Sequence, residues 1–217
     1  MTDSEFRLLI EHGDVDGMRR ALEAEPELAN RTIHWQLNQD NESDPLHYVS
    51  DCVSQGWLKN GTEGQIAELL LAFGALLNGT PGRESPLIAA ASLGAESVSR
   101  VLIEAGADVE RTSIYAARAL HWAAWMGASA TVDLLISRKA QIDIKDSEFA
   151  ATPLFWAVHG YGPNGARTKR DQVGAARLLI NAGANPRTEN KGGLSALELA
   201  RTCQDKEMYE LLSQYVR

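Results

Sequence analysis

Apolar residues recur along this chain at helical spacing, and the arrangement itself repeats. Five segments align on a leucine, at Leu46, Leu87, Leu120, Leu154 and Leu197, with spacings of 41, 33, 34 and 43 residues. A second apolar run follows each leucine and begins at Ile66, Val98, Thr131, Ala175 and Met208. Each of these residues lies three positions ahead of a pair of apolar residues, which predicts the inner stripe of a helix. The pattern therefore predicts successive pairs of helices.

A third column marks where the second helix of each pair ends. It reads Gly74-Ala75, Gly106-Ala107, Lys139-Ala140 and Gly183-Ala184. Glycine is favoured just past a helix because the residue there often takes a left-handed conformation. Lys139 stands where glycine is expected, and in that conformation it should cost about 1 kcal/mol.

The starts of the first helices carry their own signals. Ser85 and Thr152 precede a proline, so each can cap a helix while the proline occupies the first helical position. Small residues three and four positions after the aligned leucine, such as Ala90 and Ala91, allow close helix packing.

These segments resemble the ankyrin repeat, whose signature is Thr-Pro-Leu-His-x-Ala-Ala, then Val-x-x-Leu-Leu and Gly-Ala. The match covers residues 44–217, and residues 4–31 look like a degenerate first repeat. The resemblance implies an all-α solenoid of about six helix-turn-helix repeats with a concave binding face. We expect one domain over 1–217, with repeats at roughly 2–31, 42–80, 81–114, 115–148, 149–190 and 191–217.

Three expansions interrupt the regular repeat. Ser50–Gly64 and Gly160–Gly174 contain several glycines together with asparagine and, in the second segment, proline, and they predict long loops between the two helices of a repeat. In an ankyrin stack both loops would emerge along one edge and could grip a partner, although neutral insertions are also common in solenoids. Asn30–Ser43 lengthens the hairpin between the first two repeats and carries Trp35.

A predicted partner-binding groove follows from the resemblance. If the first helix of each repeat lines the concave face, fixed positions after the aligned leucine point at a partner. The candidates are Tyr48, Asp51, Trp122, Trp125, Met126, Trp156, His159 and, beside them, Tyr161. Clustered aromatic side chains are typical of binding surfaces. In the alternative interpretation, the rings pack beneath the inserted loops as core.

Three functions remain open for such a chain. The leading hypothesis is non-catalytic recognition of a protein or peptide by the aromatic groove. A second is a small-ligand pocket in the same groove, suited to a cation such as methylated lysine because aromatic rings attract cations. A third is a purely structural adaptor. The partner itself is not named by the sequence.

Charge narrows the kind of partner. The net charge is −8, and residues 1–51 alone account for it with 12 acidic and 4 basic side chains. Such a surface repels nucleic acid and favours a basic partner, or it is a solubilising cap. With 44% hydrophobic and 23% charged residues, the composition is typical of a soluble protein.

The sequence also predicts the compartment of the protein and whether it carries catalytic chemistry. The N-terminus lacks a secretory signal, and the longest apolar stretch, Ile66–Leu77, is too short to cross a membrane, so we expect a cytoplasmic protein. Cys52 and Cys203 are expected to be reduced packing thiols. Gly160–Gly165 fits a nucleotide-binding pattern but follows a predicted helix rather than a strand. We therefore expect no enzyme activity, catalytic residue, metal or cofactor.

Overall fold

The computed structural model describes residues 1–36, 40–58, 61–113, 115–161, 171–203 and 206–215. Nearly all of the regular structure is helical, and consecutive helices pack together in pairs. The described helices form two compact units, residues 1–108 and residues 109–217. The predicted all-helical class is confirmed. The repeat count and the single domain over 1–217 stay predictions.

The first unit begins with a helix pair and continues through a hairpin to two further pairs. Its helices are α1 (Asp3–His12), α2 (Val15–Ala24), α3 (Pro45–Gln55), α4 (Glu63–Ala72), α5 (Pro86–Leu93) and α6 (Glu96–Glu104). A 3-10 helix, Pro26–Asn30, follows α2. Helices α1 and α2 lie where a degenerate first repeat is predicted, and their assignment as a repeat stays a prediction.

The expansion between the first two helix pairs forms a small antiparallel sheet. Strand β1 (Ile33–Gln36) pairs with β2 (Asp40–Ser43), and Trp35 lies opposite Asn41 in the register. This hairpin is an addition to an otherwise helical fold. Of the expansion Ser50–Gly64, residues 59 and 60 lie outside the described part of the chain.

The second unit contains three more helix pairs. They are α7 (Ala119–Met126) with α8 (Ser129–Ser137), α9 (Pro153–Tyr161) with α10 (Gln172–Asn181), and α11 (Ala196–Thr202) with α12 (Lys206–Ser213). Residues 162–170, within the expansion Gly160–Gly174, lie outside the described residues.

The core of each unit is built from the aligned apolar columns. The leucines of the second helices, Leu70, Leu102, Leu135, Leu179 and Leu212, have no exposed surface. Burying a leucine side chain stabilises a fold by about 1.5–3 kcal/mol, so this one column contributes substantially. The first-helix leucines from Leu46 to Leu154 are also buried, whereas Leu197 in the terminal pair is half-buried.

The ends of the helices follow the predicted chemistry. Gly74, Gly106 and Gly183 have positive φ angles at the ends of second helices, and Lys139 takes the same left-handed conformation with φ of 64°. The Ser85 hydroxyl accepts a hydrogen bond from the backbone N–H of Leu87 at the start of α5. Lys139 therefore adopts the left-handed conformation for which a cost of about 1 kcal/mol is predicted.

Candidate functional site

The second unit contains a cavity of about 670 Å³, which we term the aromatic pocket. Its wall is formed by α7, α9 and α11 and by the turns that precede them. The lining residues are Tyr115, Trp122, Trp125, Glu148, Phe149, Ala151, Phe155, Trp156, His159, Asn190, Leu194 and Leu199. Its volume lies within the range of about 300–1,000 Å³ that is usual for ligand sites.

Helical spacing places four of the predicted groove residues on this wall. Trp122 and Trp125 are three residues apart on α7, and Trp156 and His159 are three apart on α9, so each pair shares one face of its helix. The two helices approach closely at Gly160, where a side chain would collide with the backbone oxygen of Trp125. Glycine at position 160 therefore lets the two aromatic faces meet.

Trp156 lies at the centre of the aromatic contacts. Its ring centroid is 4.9 Å from that of Trp122 and 5.9 Å from that of Trp125, with interplanar angles of 82° and 71°. Edge-to-face geometry of this kind is favourable for aromatic pairs. Trp156 is only 8% exposed, whereas Trp122 and Trp125 are half-buried. The buried Trp156 ring thus forms the floor, or deepest part, of the pocket, and the half-buried rings of Trp122 and Trp125 form its sides.

A buried carboxylate, Asp146, fixes the turn at the rim of the pocket. Its Oδ1 accepts hydrogen bonds from the backbone N–H groups of Glu148 (2.9 Å) and Phe149 (2.7 Å). Its Oδ2 accepts from the backbone N–H of Ala151 (3.1 Å) and from the indole Nε1–H of Trp156 (3.0 Å). One side chain therefore ties the rim of the pocket to its floor.

His121 supports the site from the core. Its Nδ1 accepts from the backbone N–H of Arg118 (3.1 Å), so the ring proton is on Nε2, which donates to the Ile144 carbonyl (3.1 Å). Burial lowers the pKa of His121 to about 4. The ring also meets Trp156 edge to face at 5.5 Å.

His159 differs because it is exposed at the pocket. Its ring lies over Trp125 at a centroid distance of 4.9 Å, and it is stacked with Phe155 at 6.5 Å. Partial burial against these rings lowers the pKa of His159 below its usual value. The imidazole of His159 is therefore harder to protonate than an exposed one.

Several pocket residues were missed by sequence reasoning because they belong to turns. Tyr115 and Phe149 are 42% and 53% exposed, and Glu148 is exposed beside Phe149. The sequence marks these turns by an unusual residue. Ala116 and Ala150 each lie three residues before a helix, at the position that Gly193 occupies before α11. Both alanines have positive φ angles, of 53° and 49°.

Backbone strain thus falls on two turns that carry exposed aromatic side chains into the pocket. Alanine with positive φ costs of order 1 kcal/mol relative to glycine. Strain of this kind concentrates at functional sites.

The remaining predicted groove residues lie elsewhere. Met126 is half-buried at the end of α7 and is not among the pocket residues. Tyr48 belongs to the first unit and has no exposed surface; its hydroxyl donates to the Glu11 carboxylate at 2.5 Å. The side chain of Tyr161 lies outside the described residues. The pocket therefore unites Trp122, Trp125, Trp156 and His159 from the predicted set.

Tyr48 is instead part of an aromatic cluster in the first unit. Its ring lies 5.7 Å from that of Trp35 on β1 and 6.4 Å from that of Trp57, which follows α3. The Trp35 Nε1–H donates to Ser43, whose hydroxyl donates to the Asp51 carboxylate. Burial raises the pKa of Asp51, and nearby His47 opposes that shift. Residues of the expansions Asn30–Ser43 and Ser50–Gly64 therefore pack against Tyr48.

Within the described ranges, no group of three or more His, Cys, Asp or Glu side chains is arranged to hold a metal ion. In the same part of the chain, no helix has both the length and the apolar character needed to span a membrane. Cys52 is buried and Cys203 is half-buried, and neither forms a disulfide.

Helix pairs joined by turns, with a left-handed residue closing α4, α6, α8 and α10, define a helical-repeat protein. The family model described as ankyrin repeats (3 copies) matches residues 58–146, and the predicted ankyrin-repeat identity is confirmed. Ankyrin repeats imply protein–protein interaction, and that is the class of function supported for this chain.

Curated relatives carry the same kind of segment within longer proteins. The chain is 32% identical over 113 residues to Palmitoyltransferase Hip14 of Drosophila melanogaster, covering 52% of this chain and 16% of that protein. It is 30% identical over 99 residues to Palmitoyltransferase ZDHHC13 of Homo sapiens, covering 46% of this chain and 14% of that protein. The chain therefore spans about a sixth of the length of these relatives.

Proposed function

We propose that the aromatic pocket of the second unit is a recognition site that receives a side chain of a partner protein, without catalysis. The observation that carries the proposal is the cavity of about 670 Å³ with tryptophan floor and walls and with exposed Tyr115 and Phe149 at its rim. Tyrosine and tryptophan supply large, rigid contact area and dominate interface hot spots.

The energetics favour a site of this kind over an additional piece of core. Tyr115 and Phe149 are about half exposed at one cavity, and their exposed apolar surface has an unfavourable free energy of contact with water. Two strained alanines present these side chains. A partner side chain that covered Tyr115 and Phe149 would recover the free energy of burying that surface.

The experiment selects ligands from a random peptide library displayed on phage, with the full chain as bait. Affinities of the selected peptides are then measured by the change in tryptophan fluorescence. Tyr115→Ala should weaken binding by tenfold or more, which corresponds to the loss of about 1.4 kcal/mol at a hot spot. The melting temperature should change little because Tyr115 is 42% exposed.

Tyr209→Ala is the matched control. Tyr209 is also an exposed tyrosine, at 37%, and lies on α12 away from the pocket residues. Its replacement should leave the affinities unchanged. Selected peptides that bind Tyr115→Ala and Phe149→Ala as tightly as the unaltered chain would overturn the proposal and favour a structural role for the rings.

A further inference from the structure

We infer that the aromatic pocket is selective for an acetylated lysine side chain of the partner, whose tip is a neutral secondary amide. The inference rests on the proposed function and names the chemistry of the side chain that enters. It depends on three properties of the pocket: a buried donor without a partner, the sign of its charge, and the position of its accessible acceptors.

One side of the pocket contains a hydrogen-bond donor that has no partner. The Nε1–H of Trp122 is buried, and no described residue accepts a hydrogen bond from it. By contrast, the Nε1–H of Trp156 donates to Asp146 at 3.0 Å. Native proteins leave few buried donors unpaired, because each one costs free energy. The pocket therefore favours an occupant that brings an acceptor to Trp122.

This donor can be turned toward the cavity. Trp122 lines the pocket and its ring is half-buried. The torsion angle χ2 of tryptophan is soft, so a small rotation of the ring moves Nε1–H at low cost. An acceptor that enters the pocket can therefore be met by the ring.

The charge of the lining decides which kind of acceptor fits. Glu148 is acidic, and none of the described residues that line the pocket is lysine or arginine. A carboxylate or a phosphate would therefore be repelled. An ammonium is disfavoured beside Trp122, because it would place donors against a donor. A neutral carbonyl oxygen avoids both penalties.

The accessible acceptors lie toward the mouth of the pocket. Glu148, His159 and Tyr115 line the pocket and are exposed. Partial burial lowers the pKa of His159, which favours the neutral ring with one acceptor nitrogen. Farther in, the buried carboxylate of Asp146 already accepts hydrogen bonds from four donors. An N–H group of the occupant is therefore satisfied near the mouth and not at the floor.

Acetylated lysine presents its polar groups in the matching order. Its carbonyl and methyl groups form the tip, and its N–H lies one atom nearer the backbone of the partner. The carbonyl can accept from Trp122 while the methyl group packs on the buried Trp156 ring and the N–H faces the acceptors at the mouth. A cavity of about 670 Å³ also has room for the long aliphatic chain.

Other amides of a protein fit this order less well. Glutamine carries its donor and its acceptor at equal depth, on a shorter chain. A main-chain amide continues on both sides, so it cannot enter end-on a pocket whose floor is closed by Trp156, which is 8% exposed.

The test compares three small probes at constant ionic strength. They are the Nα-acetyl amides of Nε-acetyl-lysine, of lysine and of glutamine. Binding to the full chain is followed by tryptophan fluorescence. We expect the acetyl-lysine probe to bind about fivefold more tightly than either of the others, which is the effect of one hydrogen bond between neutral groups.

Trp122→Phe removes the donor and keeps an aromatic ring. It should bind the acetyl-lysine probe about fivefold more weakly and the lysine probe with nearly unchanged affinity, because only the first accepts from the indole. Trp125→Phe is the matched control, since Trp125 is also half-buried on α7 and its Nε1–H is not a buried unpaired donor. This control should change both affinities by the same factor.

A nuclear magnetic resonance measurement on the unaltered chain needs no variant in the binding sample. The indole proton of Trp122 should move downfield when the acetyl-lysine probe binds and stay in place with the lysine probe, because a new hydrogen bond deshields the proton.

Equal binding of the lysine or the glutamine probe would overturn the inference, and so would an unshifted Trp122 indole proton. A Trp122→Phe chain that keeps the full preference for acetyl-lysine, or failure of all three probes to bind at millimolar concentration, would overturn it as well. The peptide selection described above needs no acetylated residue, and its Tyr115→Ala comparison tests the exposed rim. Failure of the inference is thus distinguishable from failure of the proposed function.

Discussion

Replacement of Asp146 tests how the aromatic pocket is held together. Its carboxylate accepts four hydrogen bonds, and two of them, from the backbone of Ala151 and from the Trp156 indole, are buried. Asp146→Ala strands both of these donors. The donors of Glu148 and Phe149 lie in a more exposed turn and can bind water instead.

The magnitude follows from the two buried donors. A buried donor left without a partner costs about 1–3 kcal/mol, so Asp146→Ala should lower the free energy of unfolding by about 4 kcal/mol. Asp146→Asn keeps one acceptor oxygen and turns an amide N–H₂ toward the other donors. We expect this variant to lose about half as much, roughly 2 kcal/mol.

The assay is urea unfolding monitored by tryptophan fluorescence, because three of the five tryptophans belong to the second unit. Asp133→Ala is the control, since Asp133 is an exposed acid on α8. Its effect should stay within about 0.5 kcal/mol. If Asp146→Ala unfolds at the same urea concentration as Asp133→Ala, the role assigned to this carboxylate is wrong.

Two further predictions concern backbone strain and pH. Lys139→Gly should raise the free energy of unfolding by about 1 kcal/mol because glycine takes a φ of 64° without strain, whereas Lys139→Ala should change little; a lower melting temperature for the glycine variant would contradict this. Burial lowers the pKa of His121 from 6.5 to about 4. Between pH 6.5 and pH 4 the unfolded chain therefore binds a proton at His121 that the folded chain does not bind. The free energy of unfolding should fall by about 3 kcal/mol over this range because of His121. Urea titrations of His121→Gln across this range should show a shallower fall in stability with pH, and an unchanged slope would refute the assignment.

Regular parts of the fold could be predicted from the sequence because their signals are local and repeated. The buried second-helix column from Leu70 to Leu212 follows from apolar periodicity alone. Lys139 was identified as a left-handed residue because glycine occupies the equivalent place in three other repeats. At such positions the residue type indicates the backbone conformation, because few residue types tolerate a left-handed one.

The pocket could be predicted only in part. Trp122, Trp125, Trp156 and His159 follow from helical spacing, whereas Tyr48 satisfies the same rule but is fully buried. Burial there depends on Trp35 and Trp57, which the expansions bring to it across the sequence. Glu148 and Phe149 were missed because a turn has no periodicity, and their placement depends on the hydrogen bonds of Asp146.

The inclined tryptophans of the pocket have an optical consequence. Indole transition dipoles separated by 4.9 Å and 5.9 Å and held at steep angles couple as excitons in a chiral arrangement. The second unit should therefore show a paired positive and negative band in its ultraviolet circular dichroism, near the main indole absorption. Because the coupling depends on ring orientation, that couplet would report the relative orientation of the three tryptophans in the pocket.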